Sequence, residues 1–233
     1  LPDGVLGHMT AAVQLGFIAG TLIFALFAVS DRYSPRATFL ACALLGAACN
    51  ASALLLGEHV SLLLAARFAT GFFLAGIYPV GMKIVAGWFR LDRGLAIGIL
   101  VGALTVGSAL PYLFRGIGAI SGLDWQAVIA SASVAGVLGG VLVGGLVPAG
   151  PFDARARRFS LDVARRAFSE PSVRLANVGY LGHMWELYAM WTWIPAFFAA
   201  SFAAAGTTDP AVASFAAFAV VGAGGLGCVV AGG

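Results

Sequence analysis

The sequence predicts an all-α integral membrane protein, a bundle of about seven transmembrane helices. Two observations lead to this prediction. Of the 233 residues, 61% are hydrophobic and 10% are charged, and the mean hydropathy is +0.96, whereas soluble domains carry about a quarter charged residues. The connectors between the apolar runs also alternate between arginine-rich and acidic segments, as expected for loops on opposite sides of a membrane.

Seven apolar runs approach or exceed the length of about 20 residues that a helix needs to cross a bilayer. In chain order they are Met9–Ser30, Ala37–Gly57, Ser61–Phe89, Gly94–Phe114, Trp125–Val147, Leu175–Phe202 and Ala211–Gly233. Five contain no Asp, Glu, Lys or Arg, the third contains Arg67 and Lys83, and the sixth contains Glu186. Glycines four residues apart, as at Gly140 and Gly144, predict close contacts between helix backbones.

The basic connectors indicate the orientation of the helices by the positive-inside rule. Ten of the thirteen basic residues lie in alternate connectors: Arg32, Arg36, Arg90, Arg93, Arg155, Arg157, Arg158, Arg165, Arg166 and Arg174. The opposite connectors contain Asp3, Glu58, Asp124 and Asp209. The first run therefore crosses from outside to inside. This predicts an earlier span and a chain cut at both ends, so that the runs are helices two to eight of a longer protein.

The composition also argues against some classes of function. The net charge of +3 does not indicate a protein that binds nucleic acid, because the arginines cluster in short connectors instead of lining one face. The three cysteines, Cys42, Cys49 and Cys228, have neither the spacing of metal ligands nor that of a disulfide framework. We expect no metal site and no tightly held cofactor.

A more specific pattern lies in the third run, where Arg67 is followed by Gly71 four residues later and by Pro79 eight residues after that. This pattern resembles the fourth-helix motif of the major facilitator superfamily. The segment Asp124-Trp125-Gln126 is similar to the usual entry to helix six. The resemblance implies the helical bundle of that superfamily, with two six-helix halves in the full protein.

The segment Ser30–Arg36 resembles the end of the loop motif that joins helices two and three in the superfamily. Phe27 and Ser34 stand where the motif has glycines. In relatives this loop helps to close the inward side of the transporter. The resemblance therefore implies an inward gate, made here of Asp31, Arg32 and Arg36.

The resemblance also implies a division of the chain. Residues 1–147 form the N-terminal half with helices two to six, residues 148–174 form the basic cytoplasmic loop between the halves, and residues 175–233 begin the C-terminal half with helices seven and eight. Within the loop, the spacing of the apolar residues in Phe159–Phe168 predicts a short helix at the membrane surface.

Charged side chains inside a span are costly, so each is a candidate functional residue. Glu186 lies about 17 Å into its predicted helix at 1.5 Å per residue, near the midplane where transporters bind substrates and coupling ions. His183 lies one turn away on the same face. The two residues form either a proton site or a buried hydrogen-bonded pair. For Arg67 the resemblance implies a role in proton coupling or anion attraction, and the alternative is snorkelling to the outer surface.

Aromatic and polar residues are candidates to line a cavity. The aromatic ones, in the sixth run, are Trp185, Tyr188 and Trp191. They either form the wall of a cavity for a partly apolar or cationic solute or pack and anchor the helix. The polar ones, in the N-terminal half, are Gln14, Asn50 and Tyr78. For each of these the alternative is a hydrogen bond to a neighbouring helix.

The resemblance implies a secondary active transporter that moves a small organic solute by alternating access, and Glu186 adds the expectation of proton coupling. The expected partners are the solute, protons and the lipid bilayer, and we expect a monomer in the cell inner or plasma membrane. One alternative is an exporter of drugs or metabolites that acts as a proton antiporter. Another is an intramembrane enzyme, for which the sequence offers neither a paired-histidine metal motif nor a serine in a glycine elbow.

Overall fold

The computed structural model describes residues 5–57, 59–122, 124–153, 165–166 and 168–233, without the side chains of Leu6 and Asp31. Most of the predicted surface helix Phe159–Phe168 lies outside these residues. All regular secondary structure in the described residues is helical. Seven of the described segments are long and apolar enough to span a membrane, which confirms the predicted all-α membrane fold.

The helices begin and end close to the predicted runs. They are α1 (Val5–Leu26), α2 (Val29–Arg32), α3 (Pro35–Leu56), α4 (Val60–Leu74), α5 (Tyr78–Trp88), α6 (Arg93–Ser121), α7 (Trp125–Leu146), α8 (Pro171–Ala204) and α9 (Pro210–Gly232). Helices α4 and α5 together form one span. Helix α6 continues past the predicted end at Phe114 and includes Arg115.

The first span ends earlier than predicted. Helix α1 stops at Leu26, and Ala28 adopts the left-handed conformation with φ 47°. The Ala28 amide donates to the Ala25 carbonyl at 3.1 Å, so the last turn tightens before the chain turns away. A left-handed alanine costs about 1–2 kcal/mol. The short helix α2 then carries the start of the predicted gate segment.

The third span is broken, whereas the sequence predicted one helix over Ser61–Phe89. Between α4 and α5 the amides of Gly76 and Ile77 donate three residues back, to Phe73 and Leu74, each at 3.0 Å. Pro79 has no amide proton to continue the α-helical pattern. The apolar character of the segment is unchanged through the break, and for this reason hydropathy alone does not reveal it.

One compact unit comprises the described residues of Leu1–Ile97 and Trp125–Arg158. In it, α1 packs against α4, and α3 packs against α4 and α7. The helices approach each other closely because the glycines at these contacts have no side chain. A Cβ at Gly140 would lie 2.6 Å from the Cβ of Ala43, and one at Gly144 would lie 2.8 Å from the Cβ of Leu40. The predicted role of the glycines in helix packing is confirmed here.

A second compact unit comprises the described residues of Gly98–Asp124 and Phe159–Gly233. Helix α6 approaches α9 so closely that a Cβ at Gly102 would lie 2.6 Å from the Gly225 carbonyl oxygen. Helix α8 also packs against α9, although none of its residues is buried. These packing units do not follow chain order, and the boundary between two halves in residues 148–174 stays a prediction.

Candidate functional site

Arg67 belongs to a polar network that joins three helices of the first unit. From α4, its Nη1 donates to Oδ1 of Asn50 on α3 at 2.7 Å. The Asn50 Nδ2 in turn donates to Oγ of Ser133 on α7 at 2.9 Å and to the Ile129 carbonyl at 3.3 Å. The Ser133 hydroxyl donates to the same carbonyl at 2.9 Å. The guanidinium is therefore held at one nitrogen by a neutral partner within the bundle.

The other polar candidates of this unit have different surroundings. Asn50 makes the hydrogen bonds to neighbouring helices that were the alternative to lining a cavity. Gln14 is exposed on α1, and Tyr78 is half-buried at the first turn of α5, next to the break in the third span. Contact of these three residues with a solute stays a prediction.

The predicted gate lies where α2, α3 and α5 meet. Arg36 donates through Nη1 to the Val147 carbonyl at 2.9 Å, just past the end of α7. Lys83 donates through Nζ to the Ser30 carbonyl at 2.6 Å, and Arg32 is exposed. The side chain of Asp31 lies outside the described residues. The gating role of Asp31, Arg32 and Arg36 stays a prediction.

A cavity of about 470 Å³ opens among these residues. Its lining includes the three basic side chains Arg32, Arg36 and Lys83, together with Asp153. The start of the long connector forms one side of it. There the Phe152 amide donates to the Gly87 carbonyl at 2.9 Å, and the indole nitrogen of Trp88 donates to the Pro148 carbonyl at 3.2 Å. The segment after α7 is thus fixed to the end of α5.

Glu186 and His183 lie on α8 in the second unit. Glu186 is close to the middle of the helix, about 23 Å from its start at 1.5 Å per residue. Both side chains are exposed. Among the residues that the structure describes, neither has a hydrogen-bond or ion-pair partner. The alternative of a buried hydrogen-bonded pair is therefore not formed within this part of the chain.

The aromatic residues of α8 form a shallow apolar recess. It has a volume of about 430 Å³ and is lined by Met184, Trp185, Tyr188, Ala189, Thr192 and Trp193. Two of the predicted wall residues, Trp185 and Tyr188, lie there. Trp191 does not, because its half-buried ring packs edge-on against Tyr188 at a centroid distance of 5.7 Å.

Tyr112 and Trp191 form a hydrogen bond that sequence reasoning missed. Pro195 lies inside α8 and cannot donate to the carbonyl of Trp191, four residues earlier. The hydroxyl of Tyr112, on α6, donates to that carbonyl at 2.9 Å. The backbone oxygen is thereby satisfied by a side chain, as a membrane interior requires.

Comparison with known families agrees with this architecture. Residues 1–233 match the family model described as Major Facilitator Superfamily. The chain belongs to the major facilitator superfamily. No curated protein and no solved structure matches it significantly. The family resemblance predicted from Arg67, Gly71 and Pro79 is confirmed, and the protein is a multi-pass membrane transporter.

In this major facilitator superfamily chain, two of the connecting residues were not candidates from the sequence. Ser133 is a small hydroxyl residue in an apolar helix, and only its position opposite Asn50 reveals its part in the network. For Tyr112 a signal was present. A proline inside a membrane helix leaves a carbonyl that needs a donor, so Pro195 predicts that some donor faces Trp191, although not which one.

Proposed function

We propose that this transporter is a secondary active carrier that moves a small organic solute by alternating access, with Glu186 as the site of proton coupling. We further propose that it acts as a monomer in the cell inner or plasma membrane. The observation that carries the proposal is the position of Glu186, a carboxylate near the middle of a membrane-spanning helix.

The energetics support a functional role for this carboxylate. A charged side chain near the middle of a bilayer costs about 2.5–3.5 kcal/mol on insertion scales. Within the described residues no contact of Glu186 offsets that cost. A role in binding and releasing a proton would explain why a carboxylate occupies this costly position. The acidic group also lies at the depth where transporters bind coupling ions.

His183 supports the same proposal. His183 lies one turn along α8 and is also exposed, and its imidazole can accept a proton and pass it to a neighbouring group. A relay through His183 would connect Glu186 to one side of the membrane. The aromatic recess formed by Trp185, Tyr188 and Trp193 lies on the same helix and offers an apolar surface to a solute.

The test uses the full-length protein in liposomes that contain a pH-sensitive dye. Solutes from a chemically diverse panel are added outside, and a coupled solute changes the internal pH in the wild-type protein. We expect Glu186→Gln to abolish this change while solute exchange continues. Glu170→Gln is the matched control, because Glu170 is exposed and precedes α8, and it should behave as wild type.

The sign of the pH change separates two versions of the carrier. Acidification of the interior during solute uptake indicates symport, whereas alkalinisation indicates the proton antiport expected of an exporter. Solute flux that is unaffected by a pH gradient, together with unaltered flux in Glu186→Gln, would contradict proton coupling at this residue.

A further inference from the structure

Arg67 is a charged group within a membrane span, yet its one hydrogen-bond partner among the described residues is the neutral amide of Asn50. Among the side chains that the structure describes, no carboxylate pairs with it. A guanidinium always carries its charge and has five N–H donors in a planar fork. Leaving such a charge in a membrane span without an anion is unfavourable. The Arg67 guanidinium therefore has N–H donors left to bind a negatively charged group.

The unused donors of Arg67 are not completely covered by the protein. In the described residues no side-chain nitrogen or oxygen is both buried and without a hydrogen-bond partner. Arg67 is only half-buried, and its Nε and Nη2 have no such partner, so these two atoms are not sealed in the core. They form the side edge of the guanidinium, which can bind both oxygens of a carboxylate at once.

Asn50 determines which edge of the guanidinium stays available. Its Oδ1 accepts from Nη1 of Arg67, and its Nδ2 is fixed by Ser133 and Ile129 on α7. The amide cannot rotate without losing bonds to two helices. It therefore holds Nη1 in place and orients the plane of the guanidinium.

The three residues also lie at a common depth. At 1.5 Å per residue, Asn50 is about 9 Å before the end of α3, Arg67 about 11 Å after the start of α4, and Ser133 about 12 Å after the start of α7. These helix ends are on the side of the acidic connectors. The network thus forms a single polar layer in the outer part of the span.

We propose that Asn50, supported by Ser133, is a positioning residue that orients Arg67 to bind the carboxylate group of the transported solute. The proposal rests on the proposed transport function and adds the class of solute, a small organic acid. It does not depend on proton coupling. Asn50 acts through Arg67 and need not touch the solute.

The experiment uses the arginine reagent phenylglyoxal on the full-length protein in liposomes, with modification of Arg67 measured by mass spectrometry. Benzoate is the probe, and benzamide is its uncharged counterpart. Benzoate should slow the modification of Arg67, whereas benzamide should not. Arg115, which is exposed on α6, serves as the internal reference and should react equally with and without benzoate.

Variants separate positioning from general stability. Asn50→Leu should raise the benzoate concentration for half-protection about tenfold, the effect of losing one hydrogen bond to a charged group. Ser133→Ala leaves the bond between Asn50 and Arg67 in place and should raise the half-protection concentration about threefold, because the Asn50 amide loses only one of its supports. Asn50→Asp should abolish protection, since its own carboxylate competes for the guanidinium. Thermal unfolding of each variant is measured in parallel.

Equal protection by benzoate and benzamide, or no protection by either, would overturn the proposal. So would an unchanged half-protection concentration in both Asn50→Leu and Ser133→Ala, because Asn50 would then be only structural. If Asn50→Leu does not fold, the Ser133→Ala result decides. None of these measurements uses a pH gradient, so they stand apart from the test of Glu186.

Discussion

The hydroxyl of Tyr112 donates a 2.9 Å hydrogen bond to the carbonyl oxygen of Trp191, the oxygen that Pro195 leaves without a donor in its own helix. Helix α8 can therefore contain a proline without an unsatisfied backbone group in the membrane. The contact also links α6 to α8 in the second unit, where no residue of α8 is buried.

Tyr112→Phe is expected to lower the free energy of unfolding by about 1 kcal/mol, because it leaves the Trp191 carbonyl unpaired. Thermal unfolding of the purified protein measures this. Tyr180→Phe is the control, since Tyr180 is 58% exposed. In a Pro195→Ala background the amide of residue 195 can donate to the same carbonyl, and Tyr112→Phe should then have little effect. An equal loss in both backgrounds would show that the hydrogen bond is not the cause.

Gly140→Ala is expected to destabilise the first unit, whereas Gly139→Ala is not. A Cβ at Gly140 would lie 2.6 Å from the Cβ of Ala43, and nothing lies within 4 Å of one at Gly139. Forcing two closely packed helices apart typically costs about 1–3 kcal/mol. The measurement is the difference in unfolding midpoint between these neighbouring substitutions. Equal midpoints would contradict the packing of α3 against α7.

Arg36→Met is expected to lower stability more than Arg32→Met. Arg36 donates to the Val147 carbonyl at the end of α7, where a cation also interacts favourably with the helix dipole. Arg32 is exposed, and no hydrogen bond of its side chain is seen in the described part of the chain. We expect a difference of about 1 kcal/mol between the two variants in thermal unfolding. A larger loss of stability in Arg32→Met than in Arg36→Met would show that Arg32 makes the stabilising contact.

Cys42 is expected to resist labelling by N-ethylmaleimide in the native protein, whereas Cys228 reacts. Cys42 is 5% exposed and its sulfur packs against Gly76, while Cys228 is half-buried. Mass spectrometry after brief labelling distinguishes the two sites, and unfolding in detergent should make all three cysteines reactive. Native labelling of Cys42 as fast as Cys228 would contradict the packing of α3 against the break in the third span.

Much of the fold was predictable because a membrane imposes a simple rule on sequence. An apolar run of sufficient length forms a helix, and basic loops stay inside. Runs such as Trp125–Val147 therefore matched α7 within one residue. The rule concerns total hydropathy and not backbone hydrogen bonds. It could not show that α1 ends at Leu26 or that the third span breaks between Leu74 and Tyr78.

The charged members of the candidate site and Asn50 were candidates from the sequence, but the contacts between them were not predictable. A charge in a span is conspicuous in sequence, so Arg67 and Glu186 stood out. The contacts of Arg67 were not conspicuous, because Asn50 bonds to Arg67 and Ser133 bonds to Asn50 across three different helices. Trp191 shows the converse problem. Its type and position suggested a cavity wall, but Trp191 is not among the residues that line the recess, and its contact with a solute stays a prediction.

The break between α4 and α5 has a mechanical consequence. A continuous α-helix transmits rotation about its axis because each turn is bonded to the next. The break replaces the α-helical bonds by bonds three residues back at Gly76 and Ile77, so it transmits rotation poorly. Arg67 lies in α4, before the break, and Lys83 lies in α5, after it. The segment that contains Lys83 can therefore twist or tilt independently of the segment that contains Arg67, although the two form one membrane span.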